Sequence, residues 1–466
     1  MARIMSSSSS VTPINNKGDK NLQVEADDLH KNPAQVEEAR IAVDKPKLSG
    51  KIIGIVFYLQ LLVIFVLAVI LIIRGFLSKH ARRRFHPSEW YPPMLMSVGL
   101  AGITGLVWQT VTYYHSSRAV KLAFWFSPLL TCAMGVLLIS TGSAVGLAFG
   151  ILSILVAVIQ SLYACWANPR FNHAVSVLSV CTAVPPQKSI SMTVVSVIVS
   201  VVYSSALVGG IGGATATGTH IDKVFIAVII LSMTWTLQVV KNILQVVVSR
   251  VRYLNFACGD ETMDVWTSMR VAVGPMVGTV CFGSVLVPTV TLVCGSARGI
   301  SLIAGDSDEF LFSCADCYSG IASRLVTCGN RWGFVHVGVD CKGIIQSSSD
   351  TWEMFRRAGM EELIDCDLTS SFCFFCGIAG GALSAISGGC WALVVHKEYA
   401  TQISIYAFLI GYLVSRVAMA WPQACASAYH VAFAENPQSA RFDATIPFRL
   451  QELHKNQQSN ISGGDH

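Results

Sequence analysis

A chain of 466 residues that is 53% hydrophobic and only 13% charged is not built for water, because soluble domains carry about 25% charged residues. Its mean hydropathy of +0.55 points to a bilayer, and a net charge of +5 spread over many loops excludes a surface made for nucleic acid. Most of the fifteen cysteines lie in apolar runs, among them Cys132, Cys281, Cys294, Cys373, Cys376 and Cys390, where Cys serves as a small hydrophobe.

Residues 1–50 are polar, mixed in sign and unable to bury a core, so a disordered tail is expected there. Met1 to Ser10 lacks an apolar h-region, so this tail is expected to be retained. Ile52 to Ile73 is an unbroken apolar run ended by Arg74, long enough to cross about 30 Å of hydrocarbon at 1.5 Å per residue. A basic connector follows, with Lys79, Arg82, Arg83 and Arg84. Further spans are predicted at about Met94–Tyr113, Lys121–Thr141, Ala144–Trp166, Ile190–Gly210, Val224–Val248 and Val271–Cys294. Glycines recur inside them, as at Gly99, Gly102 and Gly105 or at Gly142, Gly146 and Gly150, a spacing that lets membrane helices approach closely.

From Gly295 to Thr369 charges interrupt every apolar stretch, which predicts amphipathic or re-entrant pieces over about 296–369. Two more spans follow, Ser370–Val395 and Thr401–Ala424. The expectation is an all-α, polytopic transmembrane helical bundle of about ten spans, the tenth depending on a crossing within Asp316–Val339. Its membrane domain covers residues 51–430, with a C-terminal tail at 431–466.

No P-loop is present, and neither HExxH nor GxSxG occurs; neither an ATP-driven pump nor an enzyme is expected. The two C-x-x-C pairs, Cys314/Cys317 and Cys373/Cys376, lack the second pair that a zinc site needs, so packing or, for Cys314/Cys317, lipid attachment is expected and no metal or cofactor. Aromatics within spans suit a quaternary ammonium, which offers no N–H and is held by ring faces at about 0.5–2 kcal/mol per contact. Trp235 lies midway along its span, one turn from Gln238, and with Tyr203 and Trp125 it makes the candidate substrate site; Trp108, Tyr113 and Trp391 fit interface anchoring. Lys241 and Arg416 are charges inside spans. A cation's pocket would not carry them, so structural or gating roles are expected, with Lys241 snorkelling to the interface.

Four stretches in order resemble the choline transporter-like family, which includes fungal Pns1-like proteins. They are Trp235–Arg252 (WTLQVVKNILQVVVSRVR), Gly278–Ser284 (GTVCFGS), the series Cys314, Cys317, Asn330-Arg331, Trp332, Phe355-Arg356 and Ile364-Asp365, and Gly411-Tyr412-Leu413 with Phe433 and Glu435. The likeness covers roughly residues 50–450 and departs from the family at Ser427 and Asn436, where acids are usual. It implies about ten spans, both termini cytoplasmic, and facilitated or exchange transport of choline or ethanolamine. The plasma membrane is the implied home, with Golgi or endosomal membranes as alternatives. The basic first connector would then lie outside, against the rule that places Lys and Arg inside. The rival expectation is a membrane scaffold or trafficking factor whose spans only anchor its tails.

Overall fold

In lipid a backbone must satisfy its own hydrogen bonds, so each apolar run closes into a helix. The computed structural model describes residues 48–77, 85–183, 187–217, 220–258, 264–304, 320, 324–365, 367–437, 442 and 445–462. The helices are α1 Leu48–Leu77, α2 Pro87–Tyr114, α3 Ser116–Ser140, α4 Ala144–Ala167, α5 Phe171–Thr182, α6 Gln187–Thr217, α7 His220–Cys258, α8 Val265–Val273, α9 Val277–Ala304, α10 Gly333–Val339, α11 Ile344–Arg357, α12 Glu361–Asp365, α13 Thr369–Val395, α14 Lys397–Ala418, α15 Ala420–Glu435 and α16 Thr445–Ser462. Among the described residues there is no strand, and nine helical stretches are long and apolar enough to cross a bilayer. The chain is an all-α polytopic membrane bundle.

The distribution of side chains is that of a protein dissolved in lipid. On α4 the buried positions are Gly146, Gly150, Ser153, Ala157, Gln160, Ala164 and Ala167, all small or polar, while Leu147, Phe149, Ile151, Leu155, Val158 and Leu162 lie on the outside. Such an outer face would aggregate in water but matches hydrocarbon, and small buried residues let backbones meet. The Gly135 and Gly150 positions show how closely: a Cβ on either would stand within 3.0 Å of the other's carbonyl oxygen. Buried Gln160 accepts hydrogen bonds from Ser127 and Thr131 of α3 at 3.3 and 3.4 Å.

Contacts between helices fix their directions. Gly50 and Gly278 touch, so α1 and α9 begin at one end, here the near end; Gly75 meets Gly213, so α1 and α6 finish together at the far end. Arg74 pairs with Asp222 at 2.9 Å there, and Gly388 of α13 lies against Pro93 and Ser97 of α2. Helices α9 and α13 therefore run the same way, which requires the chain between them to return to the near end. Of the stretch 316–339, where a tenth crossing is expected, residues 320 and 324–339 are described. They form helical turns at 324–328 and 333–339 (α10, seven residues, about 10 Å) interrupted at 329–332, each too short to span.

Three expected spans differ in extent. Helix α7 does not end at Val248 but runs on to Cys258, 39 residues in all. Val271–Cys294 is broken by the Gly274–Met276 turn, and Thr401–Ala424 by Met419 between α14 and α15, because Pro422 has no N–H for the preceding turn. The domain edge drawn at residue 430 cuts a helix whose side chains are buried through Ala434, and Ile446 is buried as well. At the near end α5, α8, α10 to α12 and α15 thus form a helical cap on the bundle. Amphipathic α11 shows the expected pattern, with Ile344, Ser347, Ser348, Thr351 and Phe355 inward and Arg356 and Arg357 outward.

The most extensive contact between two helices joins α13 to α14. A Cβ on Gly381 would come within 2.7 Å of the Phe408 carbonyl oxygen, and one on Gly411 within 3.0 Å of the Gly380 carbonyl oxygen, whereas one on Gly99 of α2 meets nothing within 4 Å. Gly381→Val is expected to destabilise the bundle by about 1–3 kcal/mol through overpacking. Gly99→Ala should be neutral or stabilising by up to about 1 kcal/mol, from helix propensity alone. Thermal unfolding in detergent, followed on both variants, checks the contrast; equal effects would contradict it.

Candidate functional site

Helix α7 carries a polar face into the interior over its second half. Lys241, Asn242, Gln245, Ser249, Arg250 and Arg252 are all buried, and four of the six find an oxygen or hydroxyl on another element. Asn242 Nδ2 donates to Ser284 Oγ of α9 at 2.9 Å. Gln245 Nε2 donates to the Arg331 carbonyl at 3.2 Å, and Arg250 Nη1 to the Gly338 carbonyl of α10 at 2.8 Å. Arg252 reaches the Cys181 carbonyl of α5, and Tyr253 the Glu435 carboxylate of α15. Charge in low dielectric is tolerated only with such partners, so these bonds also hold the cap on the bundle.

The Asn330-Arg331 pair is the hinge pin of that cap. Asn330 Oδ1 accepts from the Gly333 N–H at 2.9 Å, in the manner of a helix cap on α10, and its Nδ2 donates to the Ser348 carbonyl of α11 at 2.9 Å. Gly333 has no side chain because Ser348 occupies the space: a Cβ would lie 2.9 Å from the Ser348 nitrogen. Arg331 forms an ion pair with Asp367, just before α13, and lies over the Trp332 ring at 4.2 Å. The Asp367 side chain is 5% exposed. Burial by itself would raise its carboxyl pKa, but the Arg331 guanidinium, His430 and the Thr369 donors together hold it below the ordinary value.

Lys241 and Arg416 stand apart from this satisfied set. Lys241 is only 5% exposed and does not snorkel, because α7 continues past it into the cap. Its Nζ donates to its neighbour Asn242 Oδ1 at 3.3 Å. The Arg416 stem lies against Gly377, where a Cβ would be 2.7 Å from its Cδ, and its buried Nη1 has no hydrogen-bond partner among the described residues. Lys241 and Arg416 are electrostatic neighbours, with Cys373 near both. Cys373 in turn donates from its thiol to the Met419 carbonyl in the α14/α15 break at 3.5 Å. Two cations thus share a buried layer without a carboxylate paired to either among the described residues.

The expected aromatic site is only partly assembled. Trp235 is half-buried, meets Phe57 of α1 edge-on at 5.5 Å and donates from Nε1 to the Cys281 carbonyl at 3.4 Å. Gln238, one turn along, is half-buried. Tyr203 donates its hydroxyl to Thr236 at 3.2 Å, which puts it on a neighbouring face of α7, about 100° round from Trp235. Trp125 is 51% exposed on the outer surface of α3; it faces lipid and joins none of the others. Sequence reasoning did not single out Asp367, His430 or Ser284 as members of the polar layer. Ser284 and Arg331 were nonetheless within the quoted motifs, whereas Asp367 and His430 carry no local signal. Cys373 and Cys376 are both free and buried, in keeping with packing; Cys314 and Cys317 lie outside the described residues. An open pocket of about 480 Å³ sits at the near end, lined by Tyr113, Tyr114, His115, Ser116, Ser179 and Thr182 among others.

Removing one partner of a buried pair costs about 3–5 kcal/mol, so Asp367→Asn is expected to destabilise by that order, and Arg331→Met added to it should recover part. A carboxyl pKa held low in the folded state stabilises the fold above the unfolded value near 3.9. That contribution fades as pH falls through the folded value. Acid unfolding curves should therefore show a smaller loss below about pH 4 in Asp367→Asn than in wild type; coincident pH dependence would remove the pair from this role.

Comparison with known proteins places this architecture. Residues 151–438 match the family described as plasma-membrane choline transporter. Protein PNS1 of Eremothecium gossypii is 23% identical over 346 residues, 66% of this chain and 62% of that protein. Protein PNS1 of Mycosarcoma maydis is 23% identical over 49% of this chain and 46% of its own length, and that of Debaryomyces hansenii 24% over 47% and 45%. The chain spans less than two thirds of the length of each of these relatives. The family match takes in both the polar face of α7 and the α13/α14 pair, and the chain belongs to the plasma-membrane choline transporter family.

Proposed function

We propose that this protein carries choline, or a small amine of its class such as ethanolamine, across the bilayer by facilitated or exchange-type alternating access. The observation that carries the reading is the family match over residues 151–438, which includes the spans from α6 to α14 and the buried polar layer between them. Helix breaks at Gly274 to Met276 and at Met419 support it, since carriers use interrupted helices near their sites.

Charge positions the cargo within this proposal. Lys241 stands six residues nearer the cap than Trp235, about 9 Å of rise. With Lys241 protonated, a cation beside Trp235 feels roughly 2 kcal/mol of repulsion at an effective dielectric of about 20, and more as it nears Lys241. Trp235 and Gln238 are uncharged and remain the proposed contact residues, with Tyr203 behind them; Lys241 and Arg416 act as a barrier toward the near end.

Orientation follows from where the basic residues fall. The near end carries Lys51, Arg118, Lys121, Arg252, Arg270, Lys342, Arg356, Arg357 and Arg449, while the described far end has Arg74, Lys223 and Lys397. Even with Lys79, Arg82, Arg83 and Arg84 of the first connector added, the near end is the richer. We therefore propose that the near end faces the cytoplasm. An impermeant maleimide applied to intact cells should label Lys397→Cys and spare Arg357→Cys, in a chain whose exposed Cys165, Cys328 and Cys390 are serine; the opposite pattern reverses the assignment.

Labelled choline uptake into liposomes holding the purified protein tests the function itself. Saturable uptake is expected, lost in Trp235→Ala with folded protein still present, while Lys241→Gln should speed passive choline efflux by removing the barrier. Absence of uptake of choline, ethanolamine and other cations would overturn the carrier reading in favour of a scaffold. Unchanged uptake by Trp235→Ala would sink the site alone.

A further inference from the structure

We propose that His86, Glu89 and His396 form a divalent transition-metal site, with Zn²⁺ the best-matched ion, tying α2 to α14 at the far end. Three ligand atoms, one from each residue, lie within 4.8 Å of one another. His86 caps the start of α2 and Glu89 sits in its first turn, so the two side chains share one side of the helix. His396 occupies the residue between α13 and α14, in extended backbone with φ −154° and ψ 94°, which aims its ring across to α2.

The surroundings hold these groups in place. The His86 and His396 rings stand 5.6 Å apart, and Tyr399 stacks on His396 at 4.8 Å. The Tyr399 hydroxyl accepts from the His86 backbone N–H at 3.4 Å. Protein–protein bonding does not use up the ligand atoms. His396 Nε2 is 3.7 Å from Glu89 Oε2, beyond hydrogen-bond reach, and both Glu89 Oε2 and His396 Nδ1 are buried without a hydrogen-bond partner among the described residues. A plain ion pair would account for two of the three residues at most and would leave the convergence of His86 unexplained.

Two imidazoles and one carboxylate are the ligand set of zinc sites that keep a fourth position open for water. Bonds of 2.0–2.2 Å require the three atoms to close by about an ångström from their present spread, a rotamer adjustment that half-exposed side chains on helix ends permit. The positive ends of α2 and α14 oppose a cation but equally favour ionised Glu89, so the dipoles weaken affinity without removing the ligands. Neither the geometry nor its test depends on what the protein transports.

Titration of the purified, tag-free full chain in detergent with Zn²⁺, read by calorimetry, is expected to show one ion per chain. Co²⁺ in its place should give visible ligand-field bands. His396→Ala and Glu89→Gln should each weaken binding by more than about tenfold and abolish the Co²⁺ bands. Glu89→His should retain them, and His336→Ala, at the near end, should change nothing. Thermal unfolding of each variant verifies that it is folded. No stoichiometric Zn²⁺ binding by the wild-type chain, equal binding by His396→Ala and Glu89→Gln, or equal weakening by His336→Ala would each overturn the site.

Discussion

Helices in hydrocarbon gain nothing by hiding apolar side chains from one another, so they associate only where backbones come close enough for dispersion and polar contact. Here that closeness is concentrated on α13, whose Gly377, Gly380, Gly381, Gly388 and Gly389 face α14 and α2. The rest of the interior follows from it. With Gly377 bare, the Arg416 stem lies flat against α13 and delivers its guanidinium to the layer that holds Cys373 and Lys241. With Gly388 bare, α2 sits close enough to bring His86 and Glu89 up to His396. Both ends of the molecule thus inherit their chemistry from one ridge without side chains.

The polar layer at the near end is arranged by the opposite logic. Asn242, Gln245, Arg250 and Arg252 on the inner face of α7 each bind a different segment, among them α5, α9 and α10. A network of this kind specifies a single arrangement, because any slip strands a charge in low dielectric. Lys241 and Arg416 are exceptions, and their lack of a paired carboxylate among the described residues is what makes the layer electropositive.

The spans were legible because twenty apolar residues in a row have few other homes. Their ends were less so. Val248 looked like the close of α7 since Arg250 and Arg252 follow it, and nothing local announces that the Gly338 and Cys181 carbonyls wait to receive them. Trp125 looked like a midspan aromatic and is one, but in a lipid-facing bundle the outer surface is as apolar as the core, so position along a helix does not reveal which way a ring points. The candidate site was readable in part. Trp235 and Gln238 follow from depth and spacing, whereas the Asp367–Arg331 pair joins residues 36 apart whose approach depends on how α10 to α12 fold back.

The length of α7 has a mechanical side. At 39 residues it is about 58 Å of continuous rod, gripped by α1 through Trp235 and Phe57 in its membrane half and by the Gly338 and Cys181 carbonyls in the cap. Pivoted at its middle, it is a lever with arms of about 29 Å, and a tilt of about 10° would sweep either tip by roughly 5 Å, close to one helical turn. A tilt of that size would therefore shift the cap by about a whole register while leaving the contacts beside the pivot in place.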